Sequence, residues 1–343
     1  MMENLPVVAA VVISFLVTAI MGLWLVPLLH RIKYGQTILD IGPRWHKKKQ
    51  GTPTMGGLMF VAGILLATLA GLSILLGGYG GVGYNMQSRD ILAVVLGLAV
   101  AVGFGFVGFV DDFIKVIRKR NLGLSERQKL IMQFVIAGIY LIGMYLIGDS
   151  STIVFVPFFG QVNLGLAYYP LAILGIVFMI NVVNFTDGID GLCASVTFVV
   201  SLGFLAVAGL LHNEGMSMFA GALAGGTLGF LIWNLHPARI FMGDTGSMFL
   251  GGIVVVLAFG LKIPIILIFM GIIYIIEGVS VMIQTTYFKY TRRKYGEGRR
   301  IFRMTPIHHH YEMGGWSEGK IVVVFSLVQL VFSAVAVMAV MRI

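Results

Sequence analysis

At 343 residues the chain is long enough for two or three soluble domains, but 58% hydrophobic residues, 11% charged residues and a mean hydropathy of +0.94 exclude a soluble globular class. Lys and Arg exceed Asp and Glu by 24 to 15, a balance that a membrane protein carries in loops beside anionic lipid, so nucleic acid is not expected as a partner. A single cysteine, Cys193, excludes an intramolecular disulfide.

Apolar runs of about 20 residues predict ten spans, near 5–29, 54–76, 90–110, 130–148, 167–185, 193–211, 217–235, 248–261, 264–287 and 320–341. The first has Glu3 and no Lys or Arg ahead of it, and at about 25 residues it exceeds a signal-peptide core, so it is retained as a span. Between the fourth and fifth, Ile153 to Val156 and Val162 to Leu164 flank Phe159-Gly160-Gln161 and predict a short hairpin. The eighth run is short and abuts the turn Lys262-Ile263-Pro264. With the N-terminus outside, the cytoplasmic loops hold six Lys and Arg in 30–53, six in 111–129, one in 236–247 and eight in 288–320. Only Arg89, Lys262 and Arg342 are left for the other side, which predicts an N-out/C-out topology with an external hairpin. No fixed-period repeat or low-complexity linker interrupts the chain, so residues 1–343 read as one all-α integral membrane domain.

Under that topology every unusual polar cluster falls on one face. Lys47 to Thr54 leads into the second span. Asp111 and Asp112 end the third, where partly desolvated carboxylates need a cation or proton. Adjacent helical residues point about 100° apart, so the two do different jobs. The plain alternative is an interfacial pair matched by Lys115 and Arg118. In Asn181-Val-Val-Asn184-Phe-Thr186-Asp187-Gly-Ile-Asp190-Gly, the residues Asn181, Asn184 and Asp187 share a helix face until Gly188 and Gly191, which suits a ribose or base; Asx turns with glycine caps are the plain reading. Asp244, with Thr245, Gly246 and Ser247, opens an apolar run and reads as a helix N-cap, as a Mg²⁺ ligand beside a phosphate, or as both.

His308, His309 and His310 are contiguous and cannot all face one ion, so a zinc site is not expected. Beside Arg299, Arg300 and Arg303 they suit contact with a diphosphate or orientation of a carboxylate. Glu277, inside the ninth span, is flagged by the cost of a buried charge and has no assigned role. Carboxylates and cations at one membrane mouth suit Mg²⁺-assisted phosphoryl-type transfer, while the lack of GxxxxGK[ST] and of GxGxxG in a βαβ setting disfavours ATP-driven transport.

Five ordered segments carry a resemblance beyond this point: Gly51 to Gly57, Asp111-Asp112-Phe-Ile-Lys115, Asn181 to Gly191, Phe241-Met-Gly-Asp-Thr-Gly246 and Pro306-Ile-His-His-His-Tyr-Glu312. They resemble the phospho-N-acetylmuramoyl-pentapeptide transferases, within the polyprenyl-phosphate N-acetylhexosamine-1-phosphate transferase superfamily. The resemblance implies a ten-helix bacterial inner-membrane enzyme, often a homodimer, with its site facing the cytoplasm. It would use Mg²⁺ to convert UDP-MurNAc-pentapeptide and undecaprenyl phosphate into lipid I and UMP. By motif position Asp244 would hold Mg²⁺, and Asp111 would be base or nucleophile, with Asp112, His308, His309 and His310 supporting. Lys49, Thr54, Asn184, Asp187, Asp190 and Phe241 would frame the uridine, and Lys115 and Lys129 would serve the phosphates. Asn181, Asn234 and Gln284 complete the expected substrate contacts. A sister transferase using UDP-N-acetylglucosamine is the nearest rival. An ion-coupled transporter or flippase is the rival from another class, but it would place ionisable groups near the midplane.

Overall fold

The computed structural model describes residues 4–31, 49–77, 88–118 and 122–341. Residues 32–48, with Lys33, Arg44, Lys47 and Lys48, lie outside the described residues, as do Lys119, Arg120 and Arg342. Long apolar helices dominate: α1 (Leu5–Arg31), α2 (Gly57–Gly77), α3 (Ser88–Ile117), α4 (Glu126–Leu146), α5 (Tyr168–Thr186), α6 (Leu192–Leu210), α7 (Glu214–Asn234) and α8 (Gly243–Gly260). Strands β1 (Ile153–Val156) and β2 (Gly160–Asn163) pair antiparallel after α4, with Val154 opposite Val162. The short α9 (Leu267–Met270), α10 (Ile272–Tyr295), α11 (Ile307–Glu312) and α12 (Glu318–Val340) complete the chain.

Nine helices among the described residues are long and apolar enough to cross a bilayer, or ten if the bent pair Pro264–Met270 and Ile272–Tyr295 counts as one span. That pair is the main departure from the expected spans, because the run 264–287 breaks by 83° at Gly271. A break inside a bilayer frees backbone groups that need partners. The buried Gln329 of α12 supplies them: its Nε2 donates to the carbonyls of Phe269 (3.2 Å) and Met270 (3.0 Å), and its Oε1 accepts from Ile273 N–H (3.3 Å). One amide thus stabilises the bend, and α10 starts well inside the bundle.

α7 and α8 form the buried centre, while α1, α4 and α12 keep most of their apolar surface outward. Small residues allow the close approaches that hold such a bundle together. A Cβ on Gly108 of α3 would sit 2.1 Å from the Asp244 carbonyl, so only glycine lets α3 lie against the first turn of α8. Polar caps fix the helix starts: Ser125 and Gln128 form a capping box on α4, and Asn213 and Ser317 cap α7 and α12. Two boundaries bear on the site. α3 continues to Ile117, so Asp111, Asp112 and Lys115 are helical, and α8 begins at Gly243, which puts Asp244 in its first turn rather than ahead of it.

Candidate active site

The C-terminal ends of α3, α5 and α7 and the N-terminal ends of α2, α4 and α8 gather at one end of the bundle. There Asp111, Asp112 and Asp244 present carboxylate oxygens that all lie within 4.8 Å of one another. The three do not play equal parts. Asp112 spends both oxygens on the start of α8: Oδ1 accepts from Asp244 N–H (3.2 Å), and Oδ2 accepts from Thr245 N–H (2.9 Å) and Thr245 Oγ1 (2.8 Å). Met242, the residue at the N-cap position, makes no side-chain cap bond, so the helix is capped from α3. The cap that the sequence allowed for Asp244 therefore belongs to Asp112.

Asp244 is released from capping and is the most open of the three, with its side chain 19% exposed against 3% for Asp112 and none for Asp111. Its Oδ2 lies 2.7 Å from Lys129 Nζ and 3.2 Å from Lys115 Nζ, and its Oδ1 accepts from Asn184 Nδ2 at 3.0 Å. The same Asn184 nitrogen donates to Ser247 Oγ at 2.7 Å. Asp111 sits behind this layer. Its Oδ2 pairs with Lys115 one turn along and with Lys129 at 3.0 Å, and its Oδ1 accepts from Leu124 N–H at 2.8 Å. Arg118, the expected second partner on α3, forms none of these pairs. Three carboxylates against two ammoniums leave one negative charge beside the positive N-terminus of α8. An all-oxygen donor set with surplus negative charge suits a hard divalent cation, and Asp244 is the most accessible of its three carboxylates.

A second charged cluster lies alongside. Lys49 Nζ is 2.7 Å from Asp190 Oδ1 and 2.6 Å from the Glu318 carboxylate, and Asp190 Oδ2 meets His236 Nδ1 at 2.9 Å and Ala238 N–H at 3.0 Å. Glu318 also accepts from Asp190 N–H at 3.0 Å. Four segments far apart in sequence are thereby pinned together. Between the clusters stands Asp187, whose carboxyl is pushed well above the usual range by burial first, and then by the charges of Asp244, Asp112 and Asp190. Thr54 is nearly buried beside Gly243. Phe241 joins its backbone to Pro53 O and Gly56 N–H, both at 2.8 Å, and leaves its ring half-exposed.

The three histidines sit on α11, and each turns a different way. His308 Nδ1 meets Glu277 Oε2 at 3.0 Å with both side chains fully buried, His309 Nδ1 meets Glu312 Oε2 at 2.6 Å, and His310 Nδ1 accepts from Arg303 N–H at 3.1 Å. A fully buried carboxylate such as Glu277 is costly in a bilayer protein without such a partner. Three other expected contacts hold the fold. Asn181 donates to Gln133 Oε1 and Val177 O, both at 2.7 Å, and so does not share a ligand face with Asn184. Asn234 accepts from Gly191 N–H (3.1 Å) and donates to Ile240 O (2.9 Å). Gln284 accepts from Ile301 and Phe302 N–H and donates to Phe302 O. Sequence reasoning passed over His236 and Glu318. Glu318 follows the Ser317 cap and looks like an ordinary first-turn acid, and only the tertiary contact with Asp190 separates it from one.

Known proteins resemble this chain over nearly its whole length. The glycosyl transferase family 4 model matches residues 92–262, and the phospho-N-acetylmuramoyl-pentapeptide-transferase signature 1 matches residues 49–61. The chain is 46% identical over 331 residues to a phospho-N-acetylmuramoyl-pentapeptide-transferase of Clostridium perfringens strain SM101, covering 96% of this chain and 95% of that protein. Proteins of the same name from Caldicellulosiruptor bescii and Halalkalibacterium halodurans are 42% and 43% identical; the matches cover 98% and 95% of this chain, and the same shares of those proteins.

Proposed function

The chain belongs to the phospho-N-acetylmuramoyl-pentapeptide transferase family, and we propose on that premise that it moves phospho-MurNAc-pentapeptide from UDP-MurNAc-pentapeptide to undecaprenyl phosphate, forming lipid I and UMP in peptidoglycan synthesis. The observation that carries the reading is the Asp111/Asp112/Asp244 core with Lys115 and Lys129, at the ends of apolar spans where a soluble donor and a lipid acceptor can meet. Asp244 would hold Mg²⁺. When bound, that ion neutralises charge on the diphosphate as the sugar phosphate changes partners.

The chain's own groups supply the rest. Lys115 and Lys129 hold the donor phosphates, and Asp112 keeps the α8 N-terminus fixed beside them. Lys49, Thr54, Asn184, Asp187, Asp190 and Phe241 frame the uridine, with the half-exposed Phe241 ring free to stack. An oxygen of the lipid phosphate attacks the sugar-bound phosphorus, the bond from that phosphorus to the bridging oxygen breaks, and UMP leaves with that oxygen. A lipid phosphate with a second pKa of about 6 is largely ionised at neutral pH and needs little base. The enclosure of Asp111 between two ammoniums and a backbone N–H favours direct attack over an Asp111-bound intermediate.

The sidedness rests on charge: 21 of the 24 Lys and Arg fall in the segments 30–53, 111–129, 236–247 and 288–320, which are the connections and helix ends of the mouth side, and this supports an N-out/C-out enzyme of the bacterial inner membrane with its site in the cytoplasm. A homodimer would cover part of the outward apolar surface of α1 and α12. Purified protein given undecaprenyl phosphate and Mg²⁺ should release UMP from UDP-MurNAc-pentapeptide and not from UDP-N-acetylglucosamine; equal turnover of both would assign it to the sister branch, and no UMP from either would end the reading. A cysteine at position 309, His309→Cys, should be labelled only from the cytoplasmic side, and labelling from outside in intact cells would refute the orientation.

A further inference from the structure

We propose that Glu277 is the positioning residue for His308, fixing the imidazole so that Nε2 is the one nitrogen turned toward the nucleotide-sugar donor at the 187–190 turn; this rests on the donor site proposed above. Both side chains are fully buried, and a carboxylate can only accept at Nδ1, so the 3.0 Å contact fixes the ring hydrogen on Nδ1. The same Glu277 oxygen takes a longer hydrogen bond, 3.4 Å, from the His308 backbone N–H, which ties the start of α11 to α10. His308 Nε2 is buried and has no hydrogen-bond partner. It faces the glycine beside Asp187: a Cβ on Gly188 would lie 2.2 Å from Nε2, so the ring edge rests directly on the backbone of that turn. An unpartnered buried nitrogen pressed against the turn that carries Asp187 and Asp190 points to a ligand group that completes it.

Expectation from sequence placed Glu277 deep in a continuous span without a role. The break at Gly271 changes that. Gly278 packs directly on Val182, one turn before the end of α5, so Glu277 stands just beneath the mouth.

Two substitutions separate positioning from a merely structural or purely electrostatic role. In Glu277→Gln the carbonyl oxygen is kept on the two N–H groups at that position, so the ring stays oriented; in Glu277→Leu both contacts vanish. In folded detergent-purified protein, Glu277→Leu should lower kcat by about 10- to 100-fold, as losing an orienting partner does, and Glu277→Gln should stay within about threefold of the parent. Nitrogen-15 spectra of histidine-labelled protein should show His308 Nδ1 protonated and hydrogen-bonded in the parent and in Glu277→Gln, and a mixture of tautomers in Glu277→Leu, with His308→Gln assigning the resonance. Full kcat in folded Glu277→Leu, an unchanged His308 signal in it, or a Glu277→Gln loss as deep as that of Glu277→Leu would each overturn the proposal. Failure of the parent itself to bind or turn over UDP-MurNAc-pentapeptide would instead strike at the donor site.

Discussion

Two acidic clusters stand side by side at the mouth, each with three potential metal ligands within 4.8 Å, and they differ in what their oxygens are already doing. In the Asp190, His236 and Glu318 cluster the acidic oxygens meet Lys49, the imidazole and two backbone N–H groups, and the result is a strap across four segments. In the Asp111, Asp112 and Asp244 cluster one carboxylate caps a helix and a second is enclosed, so the third is left half-open to the mouth beside two lysines. Composition alone does not tell a strap from a reaction centre. Which backbone groups the carboxylates satisfy does.

The largest effect that would sharpen this contrast is at Asp244. Because Asp112 supplies the cap, Asp244→Asn should leave the melting temperature nearly unchanged while turnover falls about a hundredfold or more, roughly 2.7 kcal/mol of barrier. Near-normal turnover in folded protein would remove Asp244 from the chemistry. Asp112→Ala should behave in the opposite sense, with thermal unfolding showing a loss of about 0.5–2 kcal/mol from the α8 start, together with reduced activity. Unchanged stability would mean that the cap lies elsewhere. In the strap, Glu318→Gln keeps the shape and weakens the pairing with Lys49, so it should raise KM for the nucleotide-sugar about three- to tenfold with kcat little altered. A loss confined to kcat would make Glu318 part of the reaction centre.

The smallest effect concerns Asp187. Its folded carboxyl is held above its unfolded value, so the native state binds the extra proton and stability falls as pH rises from the usual carboxylate range through the raised one. Asp187→Asn should remove that fall, stabilising the protein at neutral pH and not in acid. A parallel pH profile for parent and variant would contradict the assignment.

Much of this was legible in the sequence because bilayer spans need long apolar runs and because charged groups beside them stand out. The mouth and its five segments followed from that rule. The break at Gly271 did not, since residues 264–287 read as one apolar run and the residue that satisfies the freed backbone, Gln329, lies in another helix. Asp112 as a cap in trans, Asn181 turned to Gln133, and the three histidines facing three partners were equally hidden, because each depends on which helices pack together rather than on spacing along one.

The difference between the two clusters is tested most directly by the Mg²⁺ dependence of turnover, measured side by side in the parent, Asp244→Asn and Asp190→Asn at saturating UDP-MurNAc-pentapeptide. Asp244→Asn should need far more Mg²⁺ for whatever turnover remains, while Asp190→Asn should keep the parent's Mg²⁺ midpoint despite its weaker hold on the nucleotide. A shifted midpoint in Asp190→Asn with an unchanged one in Asp244→Asn would place the metal in the other cluster and contradict the account.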